Sequence, residues 1–293
     1  MKKIVMPLAA GVLLTAGAQA QTKIAIEGQA YVITGTAASV TPSAAAFTYE
    51  WYRNNEVITG CTAATCTVPA NLCNGVNVVF KRKLKVTSGC AGDTEGFTNE
   101  VTVSFKCGGG HGTKIGNVCW ADRNVGAAGA FTATAHEYSP FYQWNKNKAW
   151  AATGSINNFP NGDNSSTWTV NPNPCPTGWR LPTQAEFSAL NIATTGRTWA
   201  NANAKGNTVA GVFAGTNHTS CSLAAGGSMS GCIFLPACGY RTTPDGVLDQ
   251  QGSGGYYWSS DIINSSSAGT FANGSIPTTA RAKQEGLSVR CVQ

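Results

Sequence analysis

The stretch NPCPTGWRLPTQAEFSAL, residues 173–190, decides how the second half of this chain folds. Thr183 reads as a helix N-cap and Glu186 stands three residues on. That is the capping-box pattern, in which hydroxyl and carboxylate satisfy the helix-start N–H groups reciprocally. Phe187 and Leu190 stand i, i+3 and share one face, which predicts a short helix turned toward a core. Pro182 fixes the angle at which the chain enters it. Around this stretch lie FLPACGYR (234–241), GYYWSS (255–260) and GLSVRCV (286–292) downstream, with CWADRNVG (119–126) and YQW (142–144) upstream. Seven of the eight Trp (120, 144, 150, 168, 179, 199 and 258) fall in residues 113–293. Polar, glycine-rich stretches such as 157–166 and 200–230 read as loops on a compact frame. Such a domain buries little apolar surface per residue, so disulfides and large aromatics must supply its stability.

The first half reads differently. Tyr31-Val32-Ile33 opens a strand. Phe47, Tyr49 and Trp51 alternate with polar residues, Asn54-Asn55 makes a turn, and Glu56-Val57-Ile58 returns. Residues 76–80 lead into Lys81-Arg82-Lys83-Leu84-Lys85-Val86, where bases alternate with apolar residues and read as the wet side of a strand. Val101-Thr102-Val103-Ser104-Phe105 closes the half. Several short, turn-separated strands in about 80 residues predict a β-sandwich. Trp51 resembles the buried Trp of immunoglobulin-like domains, a likeness to the broad class only, since no conventional inter-sheet Cys pair is evident. Between the halves, Cys107-Gly-Gly-Gly-His111-Gly112 reads as a glycine-rich hinge with a solvated histidine.

Composition sets the address. Residues 1–20, MKKIVMPLAAGVLLTAGAQA, show a positive start, an apolar run and an A-x-A site, the signs of a cleaved signal peptide. Position 21 is Gln, so a lipoprotein anchor is not indicated, and no later segment is apolar enough to span a membrane. The chain carries a net charge of +6, or +4 once Lys2 and Lys3 leave with the leader. Its bases are scattered, which excludes the basic stripe of a nucleic-acid binder. Charged residues make up 12% against about 25% in ordinary domains, which suits a β-rich protein outside the cell. Eleven Cys in an exported chain argue for disulfides, with at least one thiol left unpaired or paired to a partner chain. Zinc is disfavoured because the closest spacings, Cys61 to Cys66 and Cys232 to Cys238, have no His nearby.

In their order, the motifs of residues 107–293 closely resemble the Fibrobacter succinogenes major paralogous domain of secreted and surface proteins. That family's pattern runs CPxGWRLPTxxEW, LPAxGYR, GYYWSS and a terminal SVRCV. Here Phe187 replaces its usual Trp, and Cys238 stands where a small residue is usual. The resemblance implies a fold similar to C-type lectin-like domains and to the formylglycine-generating sulfatase modifier family. By analogy with lectin-like folds, Cys175 pairs with Cys291. Cys61–Cys66, Cys73–Cys90, Cys107–Cys119 and Cys221–Cys232 are the remaining expected pairs, with Cys238 the odd thiol. The expected organisation is a signal peptide at 1–20, an immunoglobulin-like β-sandwich at 21–106, the hinge at 107–112 and the lectin-like domain at 113–293.

For function, the sequence offers loops more than chemistry. Its three His (111, 136 and 218) are scattered, and no nucleophile elbow, zincin, P-loop or dinucleotide motif occurs. Asp245, Asp249 and Asp261 fall in one region and suit calcium, but turn aspartates are the preferred reading. The EPN and QPD signatures of calcium-dependent lectins are absent, as is a match to the modifier family's catalytic cysteines. Arg180, Arg241 and Arg290 sit inside apolar motifs and read as ties to backbone carbonyls. Trp150, Trp168 and Trp199 lie in polar loops, where an indole can stack on a sugar ring or plug the loop onto the frame. The resulting expectation is a non-catalytic, secreted or surface-held adhesion protein that needs no cofactor and recognises a glycan or a protein. The alternatives are a structural subunit of a cell-envelope assembly and an enzyme on the modifier-like fold.

Overall fold

The protein is described by a computed structural model covering residues 23–26, 29, 31–34, 46–69, 72, 78–88, 95–97, 100–160, 168, 173–190, 196–225, 227–272 and 279–293. The leader and the expected Cys73–Cys90 pair lie outside the described residues. The chain is mainly β, built from several small and mostly antiparallel sheets.

In the first half, the long strands Ala46–Arg53 and Val78–Ser88 form the longest ladder, antiparallel in register from Phe47 with Val86 to Arg53 with Phe80. Val101–Lys106 pairs with the far end of Val78–Ser88, and Lys23–Ile26 adds to it in parallel. A second sheet pairs Tyr31–Thr34 with Thr65–Val68. Alternation explains the core: Trp51, Val78, Phe80, Val103 and Phe105 face inward, where they meet Cys66 and Val68 of the second sheet. The hairpin turn falls on Asn54 and Asn55, both at positive φ (48° and 73°), a conformation asparagine tolerates. One base departs from the expected wet face. Arg82 stands at an inward position, 7% exposed, with its guanidinium over Tyr49 and Trp51 and bonded to the Ala64 carbonyl. The long side chain satisfies its charge at the rim of the core while its stem packs inside.

The second half has much shorter strands. Val118–Asn124 lies between Gly112–Ile115 and the terminal strand Arg290–Val292, so the start and the end of the region are neighbours. Three further sheets complete it: Arg197–Ala200, Gly211–Gly215 and Cys232–Pro236; Tyr256–Ile262, Ser267–Ala272 and Thr279–Ala282; and four two-residue strands around Tyr142–Gln143 and Gly286–Leu287. Gly211–Gly215 is buried throughout and corrects the reading of 200–230 as loop. Its flanking glycines are packing devices: a Cβ on Gly211 would stand 2.5 Å from the Leu235 carbonyl, and one on Gly215 2.2 Å from that of Gly231.

The helix Gln184–Ala189 carries the full capping box between Thr183 and Glu186. Phe187 and Leu190 pack with Trp120, Val212 and Leu235. Asp261 accepts from the Gln184 N–H at 2.5 Å and so serves the helix start. Strands this short leave many carbonyls without ladder partners, and buried arginines meet them. Arg290 donates to the carbonyls of Ala121 and Phe234 and to Asn124 Oδ1, all within 2.8 Å. Arg241 gathers the carbonyls of Ala151, Thr153, Gly154 and Gly246. Burial lowers the basicity of both guanidinium groups. Arg180 differs from its expected role: its side chain is half exposed and forms a bidentate pair with Glu186, with one bond to the Leu181 carbonyl.

The structure joins Cys61 to Cys66, Cys107 to Cys119, Cys175 to Cys291 and Cys221 to Cys232. Cys175–Cys291 closes a separation of 116 residues with Cα atoms 5.9 Å apart. A loop of about that length is worth roughly 4.7 kcal/mol in the chain-entropy account. Cys238 is free and fully buried. No helix among the described residues is long and apolar enough to cross a membrane.

Candidate functional site

Four segments meet at one solvent-open cleft of about 440 Å³, lined by Gly108, His111, Arg123, the loop Gly129–Phe131, Pro176, Thr177 and Trp179. Its size falls in the roughly 300–1,000 Å³ range of small-molecule sites.

The first segment is the stretch expected to be a hinge. Residues 107–112 form a closed turn instead: Cys107 and Gly112 exchange backbone hydrogen bonds at 3.1 and 3.0 Å, and Cys107 is bonded to Cys119. Gly108, Gly109 and Gly110 all take positive φ, and at Gly108 the Trp179 indole also occupies the space a side chain would need. A Cβ on Gly108 would lie 2.2 Å from the indole. The second segment is Val118–Asn124, which projects Arg123. The third is the CPTGW turn, closed by Trp179 N–H to Pro176 and tied to the terminal strand by the Arg180–Val292 backbone pair and by Cys175–Cys291. The Gly129–Phe131 loop is held to this turn by the Gly129 N–H on the Pro174 carbonyl.

The walls are aromatic. Phe131 meets Trp179 edge to face, with centroids 5.3 Å apart, and His111 lies 5.9 Å from Phe131. Arg123 Nη2 donates to His111 Nδ1 at 2.8 Å, and Nη1 faces the carbonyls of Thr132 and Ala133 at 3.2 Å. A guanidinium can only donate, so Nδ1 is the acceptor of this bond. Behind Arg123, Asp122 is shared with Lys106, at 3.7 and 3.4 Å respectively. The lining thus offers one cation, an exposed threonine hydroxyl and aromatic surface. No carboxylate or thiol lines it.

The sequence-predicted residues are dispersed. Trp150 is buried against Phe159 in a cluster with Cys238, and Lys148 covers its ring at 3.8 Å. Trp168 is partly buried and packs edge-on to Trp144, which in turn meets Trp258. Only Trp199 of the three is exposed, on the strand Arg197–Ala200, with its indole N–H on Asn201. The three loop tryptophans therefore belong to three separate environments; two of them plug their loops onto the frame. Of the aspartates, Asp249 accepts from Tyr240 OH and Asp261 serves the helix. No group of three or more His, Cys, Asp or Glu suited to a metal occurs among the described residues. His136 pairs with Thr208 and His218 with Thr198, each remote in sequence from His111.

Cys238 lies elsewhere, in a buried polar cluster. Its sulfur is 3.8 Å from Asn124 Nδ2 and 3.6 Å from Ser139 Oγ. Tyr257 donates to the Pro236 carbonyl at 2.6 Å, and burial raises its hydroxyl well above the ordinary phenol value.

Sequence reasoning missed Arg123, His111 and Phe131 as a set. Arg123 stands inside CWADRNVG, yet nothing local says that its side chain meets a histidine 12 positions earlier. A comparison with curated proteins and with solved structures finds no match for the chain. The sequence model of the Fibrobacter succinogenes major domain matches residues 113–293, the region whose CPTGW turn, Arg123 strand and Gly129–Phe131 loop build most of the cleft, and the chain belongs to that family.

Proposed function

We propose that this is an exported, non-catalytic binding protein of adhesion type. In this reading an immunoglobulin-like β-sandwich carries a lectin-like domain, and the lectin-like domain recognises a glycan or a surface protein through the cleft at its edge. The observation that carries the reading is the composition of that cleft: aromatic side chains, a hydrogen-bonding cation and a hydroxyl, with no carboxylate or thiol among them. Such surfaces hold rings and orient them; bond-making needs a nucleophile and a base converging on one atom. Cys238, the one free thiol among the described residues, is fully buried, which disfavours thiol chemistry on an external substrate.

Four disulfides favour an oxidising compartment, in keeping with the leader-like first 20 residues. Two sheets sharing a core around Trp51 favour the sandwich, and adjacent first and last strands locked by Cys175–Cys291 favour the lectin-like frame. The reading requires neither metal nor cofactor.

A glycan array and a bacterial-surface pull-down with residues 21–293 test it. Binding confined to a few ligands and abolished by Ala130→Trp, which fills the cleft from an exposed position, is the expected result. Background signal in both assays, or binding unaffected by Ala130→Trp, contradicts it.

A further inference from the structure

The charge of the cleft narrows its ligand. Arg123 is the one Arg, Lys, Asp or Glu of the lining, and it is hydrogen-bonded to His111 Nδ1. Of its five N–H groups, two face the Thr132 and Ala133 carbonyls and one is given to His111, which leaves a second Nη2 hydrogen without a partner among the described residues. The nearest carboxylate, Asp122, is shared with Lys106, so these three side chains retain one positive charge. A guanidinium that shares its one carboxylate with a lysine, at the edge of a cleft, selects for an anion, and its planar fork suits a carboxylate.

Resting on the binding reading above, we infer that the cleft takes a carboxylate-bearing sugar ring, a uronic acid of an acidic glycan. The ring packs its C–H face on Phe131, which stands edge to face on the buried Trp179, its carboxylate meets Arg123, and Thr177 is placed to bond a hydroxyl. An acidic polypeptide fits less well. The lining N–H groups of His111, Gly129, Ala130 and Trp179 are already bonded to Gly108, Pro174, Ala127 and Pro176 within the chain, so an extended peptide finds no ladder to join.

The test is calorimetric titration of the full exported chain with galacturonate, glucuronate and mannuronate trimers, their methyl esters and hexaglutamate. At least one free-acid trimer binds, and its methyl ester, the same shape without the charge, binds at least about tenfold more weakly, the loss expected for a charge-assisted hydrogen bond. Arg123→Gln gives a similar loss and Arg123→Lys a smaller one. Ala130→Glu, which removes no side-chain contact but sets a negative charge on the lining, also weakens the acid, and added salt does the same. Melting curves establish that each variant is folded. Equal binding of acid and ester, or full affinity in Ala130→Glu, overturns the acidic assignment and leaves glycan binding standing. Failure of every trimer alongside neutral-glycan signals on the array does likewise. Tighter binding of hexaglutamate overturns it in favour of an acidic protein. Failure of every trimer with a silent array removes the binding reading itself.

Discussion

The two halves of this molecule reach a stable β structure by different means. Residues 46–106 rely on ladder length: three strands of six to eleven residues carry the longest pairing, and Trp51, Val78, Phe80, Val103 and Phe105 on them form the core. Residues 107–293 have strands of two to seven residues, too short for alternation to organise a core. Their order comes from disulfides, from edge-to-face tryptophans and from arginines buried on carbonyls. The lesson is that a loop-rich domain replaces the regular hydrogen bonds it lacks with side-chain ones, and the cost of removing any single tie is correspondingly large.

The comparison breaks most visibly at the terminal disulfide. The double variant Cys175→Ser, Cys291→Ser is expected to lose about 4.7 kcal/mol from the second half, with the first half unchanged, in calorimetric unfolding. A common fall of both transitions would show one cooperative unit, joined across contacts such as the buried Ser104–Ser230 hydroxyl pair at 2.7 Å. Trp51→Ala is the mirror experiment. It removes the largest side chain of the first core and is expected to cost about 4 kcal/mol there, leaving the second transition in place. Arg290→Met sharpens the claim about polar ties: it keeps volume but orphans the Ala121 and Phe234 carbonyls, for a loss of about 3 kcal/mol by denaturant titration.

The smallest effect is at the helix. Thr183→Ala is expected to cost about 1 kcal/mol. The Arg180 hydrogen bond, with help from Thr183, holds the Glu186 carboxyl below its ordinary range against the opposing effect of burial. A carboxylate lowered in the folded state stabilises above its unfolded value, and the contribution is lost as pH falls through the folded one. Acid unfolding should therefore steepen below the ordinary carboxylate range, and Glu186→Gln should flatten that limb.

Legibility follows the same division. Asn54-Asn55 and the Thr183–Glu186 box were readable because their physics is local, a positive φ or a side chain reaching three residues. The Cys175–Cys291 pair was reached only through resemblance, since 116 residues separate its halves. Arg82 was read as solvent-facing because alternation assigns bases to the wet side; an aromatic lid from the facing strand turned it inward. Gly211–Gly215 looked like a loop because its glycines are required by a neighbouring strand that local sequence does not reveal. The cleft was illegible for the same reason. Arg123 read as one member of a motif and His111 as solvated, and only the closed turn at 107–112 brings them together beside the buried Trp179. The loop tryptophans were singled out by their polar neighbours, which say nothing of the partners awaiting Trp150 and Trp168.

The most direct test is hydrogen exchange of residues 21–293, alone and with the tightest-binding uronate trimer. Slowed exchange confined to residues 108–111, 129–131 and 176–179 is the predicted result. Protection centred instead on Trp199 and Asn201, with the cleft unchanged, would contradict the assignment of the site.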